Sequence, residues 1–151
     1  MRARGPAVLA AVVLLGAPGC SRTPRDPVAA CLDAVVTAGE KRDADGVLAR
    51  VSESFRDAGG GGKAETAELV RRSLAAYESL SLTLTDLAVT RGPAAAQARF
   101  KLRMSGRPRA VAGLEGILPR SSRWTFDVRL EKEGIDWKIT SATWTRLEDA
   151  P

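Results

Sequence analysis

The chain has no histidine, two cysteines and one tyrosine among 151 residues, and only 5% of its residues are aromatic. Without imidazole it lacks the side chain that most readily exchanges a proton near neutral pH. Two thiols and no imidazole also leave too few of the usual ligands for a zinc site. Long apolar runs are missing as well. The run Ala7–Ala17 has eleven residues, too few to span a bilayer. Arg2 and Arg4 precede it and the small residues Ala17-Pro18-Gly19 follow, an arrangement that reads as a secretory signal over residues 1–19.

Cys20 follows those small residues directly and resembles the cysteine of a bacterial lipobox. The resemblance implies cleavage before Cys20, a diacylglycerol thioether on its sulfur and an acyl chain such as palmitate on the new amine. Pro18 and Ala17 depart from the commonest form, which places Leu and then Ala or Ser there. The alternative is an ordinary cleaved signal that leaves a plain thiol. Residues 20–26 form a short polar tether. Ser21 after the cysteine resembles the outer-membrane-directed pattern, so the expected location is the cell envelope, on the outer membrane facing the periplasm if the source is Gram-negative.

Loss of Arg2 and Arg4 with the signal lowers the basic count from 23 to 21 against 18 acids and the net charge from +5 to +3. So modest an excess does not point to nucleic acid. If Cys20 carries lipid, Cys31 has no disulfide partner, and beside Ala30 and Leu32 it reads as a small apolar residue rather than a reactive thiol.

The remaining chain is a single domain, residues 27–148. Asp26-Pro27 is a helix start, with Val28, Leu32, Val35 and Val36 on one face and Gly39 at the end. The spacing of Val47, Leu48, Val51 and Phe55 predicts a second helix from Asp43 or Asp45. After the Gly59–Gly62 loop, Ala67, Val70, Leu74 and Tyr77 mark a third over Ala64–Ser79. From Leu80 the period drops to two, with a one-residue phase shift at Thr85-Asp86 that a β-bulge would produce. Arg91-Gly92-Pro93 is a turn, and Ala96–Met104 alternates cleanly. Residues 105–122 form a long connection. The closing hairpin, Arg123–Leu147, holds all three tryptophans. The expected fold is α+β: three N-terminal helices packed on a curved four-stranded antiparallel sheet, tending to a half-open cone.

The stretch DADGVLARVSESF, the third helix and the terminal WTFDVRLEKEGIDWKITSATW together resemble the nuclear transport factor 2-like superfamily over roughly residues 27–147. The resemblance implies a cone-shaped pocket that serves either an enzyme or a non-catalytic binding or assembly module. Enzymes of this kind place a carboxylate, histidine or tyrosine inside the cone. Here Asp86, at the bulge, is the first candidate base, followed by Glu115 and Asp136, with Tyr77 as a possible acid. Each also reads as an ordinary residue, the acids as solvated turn positions and Tyr77 as a core tyrosine. Tyr77, Phe100, Leu102, Trp124, Phe126, Val128 and Trp144 are the expected pocket lining.

Arg99, Lys101 and Arg103 would face Asp127, Arg129 and Glu131 across the outer sheet surface, and relatives often dimerise through that surface. Arg107, Arg109, Arg120 and Arg123 flank the long connection and suit anionic headgroups or an acidic partner. Gly62-Lys63-Ala64 lacks the hydroxyl a phosphate loop needs, and Asp43–Gly46 is too short for a calcium loop. No metal or cofactor is implied. The expected partners are the membrane, through lipid on Cys20, and a small apolar ligand, a protein or a second copy of the chain. With apolar inward positions and no evident acid–base pair, the residues favour a non-catalytic binding or assembly domain. The alternatives are a small-molecule isomerase, dehydratase or cyclase, and a structural interaction domain with a filled cone.

Overall fold

A computed structural model describes residues 25–110 and 118–147. The signal, Cys20, most of the tether and Glu115 lie outside these residues. Helix α1 (Pro27–Glu40) begins as the sequence predicts, Asp26 accepting hydrogen bonds from Val28 N at 2.8 Å and Ala29 N at 3.1 Å. Its end is set differently. Lys41 is the C-cap and Arg42 takes the left-handed conformation at φ 57°. Gly39 lies buried inside the helix, where a Cβ would stand 2.7 Å from Leu82 Cδ1. The glycine lets α1 approach the sheet closely.

The expected second helix is two elements. Helix α2 (Ala44–Leu48), capped by Asp43, is followed by strand β1 (Val51–Asp57). Val51 and Phe55 are four residues apart, a spacing that places side chains on one face of a helix and equally on one face of a strand. The decision falls to a distant partner, because β1 pairs in parallel with the C-terminal strand, Val51 opposite Ile139. Helix α3 (Lys63–Ala75) stops earlier than expected, and Tyr77 opens strand β2 (Tyr77–Arg91). Strand β3 (Ala95–Pro108) runs past Met104, so the long connection is shorter than the sequence suggested. Strands β4 (Ser121–Glu133) and β5 (Asp136–Leu147) form the closing hairpin.

The sheet therefore has five strands, in the order β1-β5-β4-β3-β2, and four of them form the expected antiparallel meander. The bulge lies where the phase shift placed it. The β2–β3 register breaks between Thr85 and Ala88, and Asp86 has φ 55°, a left-handed conformation that aspartate tolerates better than most residues.

Register fixes the two faces. Inward-facing residues at one end of the sheet, among them Ala98, Val128, Leu130, Trp137 and Ile139, are buried against Val28, Cys31 and Leu32 of α1 and Phe55 of β1. The outer face is charged, with a pairing that differs in part from the one expected. Arg99 does meet Asp127, at 2.8 Å, as expected, but Lys101 stands opposite Thr125 and Arg103 opposite Arg123. The antiparallel order reverses the expected list.

Candidate binding site in the open half of the cone

Burial changes along the strands. On β3 the inward residues Ala96, Ala98 and Phe100 are buried, whereas Leu102 and Met104 are half-buried. On β4 the order is reversed: Val128 and Leu130 are buried, Phe126 and Trp124 half-exposed. On β5, Ala142 is buried and Trp144 is 39% exposed. One half of the cone is thus filled with core; in the other the inner wall is apolar and partly exposed, with Tyr77 and Ser122 buried at its rim.

Cross-strand register assembles that wall. Phe100, Phe126 and Trp144 occupy one row across β3, β4 and β5. The phenyl rings stack at 5.3 Å with planes 8° apart, and Trp144 tilts against Phe126 at 6.2 Å. The next row towards the mouth holds Leu84, Leu102, Trp124 and Arg146. The Trp124 indole N–H donates to Ser122 Oγ at 2.9 Å, so its polar atom is satisfied without a ligand. Of the expected lining, Leu102, Trp124, Phe126 and Trp144 line the open wall, Phe100 forms its floor, and Val128 belongs to the core below.

Tyr77 is buried at the rim, its ring 3.0 Å from where a Cβ on Gly106 would lie. Its hydroxyl donates to Pro119 O at 2.9 Å. Burial raises its pKa above the usual 10.0, with Arg146 pulling the other way. A hydroxyl already donating to a carbonyl and harder to ionise than usual is poorly placed to give up its proton as an acid.

The carboxylate candidates do not join it. Asp86 lies on the outer face, ion-paired with Lys101 at 2.8 Å, because the bulge turns it away from the row of Leu84 and Leu102. Asp136 sits at the β4–β5 turn, at the opposite end of the strands. Glu115 lies outside the described residues. Cys31 is buried in the core, its thiol 3.3 Å from Trp137 O and raised in pKa chiefly by desolvation, as befits a packing residue. Sequence reasoning missed Arg146. Continuing the alternation of Trp144 by two residues would have placed it on the inner wall.

Neither a family model nor a curated protein matches the sequence. Solved structures do match the shape. A Novosphingobium aromaticivorans protein provisionally named a scytalone dehydratase aligns with TM-score 0.69 at 9% identity, over 81% of this chain and 83% of that one. An NTF2-like protein of unknown function from Pseudomonas putida aligns with TM-score 0.63 at 16% identity, over 81% and 85%. The fold is nuclear transport factor 2-like. Bdellovibrio bacteriovorus Bd1075 shares it at TM-score 0.65 and 12% identity over 80% of this chain, which spans only 40% of the length of Bd1075. Among the described residues of this NTF2-like cone, the half-exposed aromatic wall beside Arg146 could hold a ligand.

Proposed function

We propose that the protein is a lipid-anchored component of the bacterial cell envelope whose cone binds a small apolar molecule, or an apolar segment of a partner, without transforming it. The observation that carries the binding reading is the chemistry of the open wall. Leu84, Leu102, Met104, Trp124, Phe126 and Trp144 offer apolar surface; Tyr77 and Arg146 stand beside it, and Glu40 lies at the β2 edge, its carboxylate held by Leu82 N at 2.9 Å. Acid–base catalysis requires a group that gains and loses a proton near the working pH. Tyr77 is displaced in the wrong direction, and an arginine stays protonated. The dehydratase name carried by one structural neighbour suggests an enzyme, but no inward carboxylate among the described residues supplies its base. A filled, purely structural cone fits less well, because Trp144 remains open to solvent.

Titration of the signal-free domain with the anionic amphiphilic fluorophore 1-anilinonaphthalene-8-sulfonate, whose rings suit the wall, tests the binding reading. Saturable binding is expected, weakened about tenfold in Trp144→Ser, the equivalent of about 1.4 kcal/mol of lost apolar contact. Absence of saturable binding, or binding indifferent to Trp144→Ser, would contradict it. The anchor is tested by fractionation: Cys20→Ala should leave the membrane, and a variant that stays membrane-bound would refute lipidation.

A further inference from the structure

The narrow end of the cone, away from the open wall, gathers features that ligand binding does not use. The β2–β3 turn, the β4–β5 turn and the start of α1 meet there. Arg91 pairs with Asp26 at 3.5 Å, and Lys132 N donates to Ala94 O at 2.9 Å. Between them lies an open hollow of about 470 Å³ lined by Pro27, Arg91, Gly92, Pro93, Lys132 and Trp137. Beyond it the hairpin tip projects Ile135, 92% exposed. Acids at this end are largely engaged. Asp26 caps α1, Asp33 pairs with Arg25 at 2.5 Å, Glu131 pairs with Arg129 at 3.1 Å, and Glu133 accepts from Ser52 Oγ. Asp136 remains at the tip beside Ile135.

The chain reaches this same end from Cys20. Five residue steps separate Cys20 from Arg25, at most about 18 Å of extended backbone. Strands β2 to β5, of 12 to 15 residues each, put the open mouth roughly 40 Å further on at about 3.3 Å per residue. An exposed isoleucine with neighbouring cations is a weak membrane ligand alone. A tether makes its insertion intramolecular, and two weak signals together hold a protein on a bilayer where one does not.

We propose that the narrow end docks on the lipid bilayer, Ile135 entering the headgroup–acyl boundary with Lys132 beside the lipid phosphates, so that the cone mouth faces away from the membrane. The inference rests on the lipid anchor at Cys20 and adds an orientation to it. It opposes a mouth-down arrangement through Arg107, Arg109, Arg120 and Arg123, at least three of which already have partners. Arg107 pairs with Glu78 at 3.7 Å, and Arg109 donates to Ala75 O.

The test uses the lipidated protein in vesicles of phosphatidylethanolamine and phosphatidylglycerol, with an environment-sensitive nitrobenzoxadiazole label on Ile135→Cys or on Ser121→Cys near the mouth. Buried Cys31 leaves labelling to the introduced thiol. Both proteins should float with the vesicles. The label at 135 should shift to the blue and be quenched by lipids with nitroxide near the headgroup, while the label at 121 stays in water. Flotation with both labels in water, or quenching at 121 instead, would overturn the docking and leave the anchor standing. Failure to float would overturn the anchor and the docking together. Ile135→Asp, an exposed change that leaves the core intact, followed through a label at Asp136→Cys, should abolish the shift there but not the flotation.

Discussion

Tyr77 and Cys31 are both held in their neutral forms, the first by burial at the rim and the second by burial in the core. Each folded pKa is raised, so the folded state keeps its proton at pH values where the unfolded chain has released it. The stability they contribute is complete below the ordinary values of 9.0 and 10.0 and is lost as pH rises through the folded ones. Urea melts between pH 7 and pH 10.5 should show falling stability above about pH 9. Cys31→Val should remove the earlier part of that fall; an unchanged alkaline profile would discount the thiol. Tyr77→Phe tests a different property, the hydrogen bond to Pro119 O, and should cost roughly 0.5–1.5 kcal/mol at pH 7. Asp127 moves in the other direction. The Gln97 amide hydrogen bond, then Arg99, lower its pKa below 3.8, so its contribution is present above that value and lost as pH falls through the folded pKa. In urea melts extended down to about pH 3, Asp127→Asn should flatten the acid-side fall.

Among the elements, β1 separates what the chain states locally from what only pairing decides. Phe55 is 2% exposed and packs in the core from a strand held by β5. Phe55→Ala should cost about 3–5 kcal/mol in urea unfolding, and amide exchange should protect β1 as a strand joined to β5. Helix α1 depends on a local signal, so Asp26→Ala should cost about 1 kcal/mol through the lost cap. Elements with strong local chemistry were legible in the sequence: the Asp26-Pro27 start, the Thr85-Asp86 phase shift, the clean alternation of β3 and the closing hairpin. The strand at Val51–Asp57 was not, because a spacing of four satisfies both periods and its partner is over eighty residues away. The aromatic wall was legible for the same reason as β3, since alternation assigns faces. Asp86 was misplaced because a bulge can turn a side chain either way, and only the Lys101 pairing settles which.

At the scale of the whole molecule the chain divides into a filled half, held by α1 and the base of the sheet, and an open half whose inner wall is apolar. At the base Val28 and Leu130 are fully enclosed, while α1 continues along β2 until Gly39 meets Leu82. The same polarity puts Arg25 and Asp26 at the base and the mouth at the far end, the arrangement on which the proposed orientation rests. The central claim is that ligands enter the open half. Methyl and indole NMR of the domain, titrated with 1-anilinonaphthalene-8-sulfonate, tests this most directly. The account predicts shifts confined to Leu84, Leu102, Met104, Trp124 and Trp144, with Val28, Leu130 and Ile139 unmoved. Shifts at the base, or none at the wall, would contradict it.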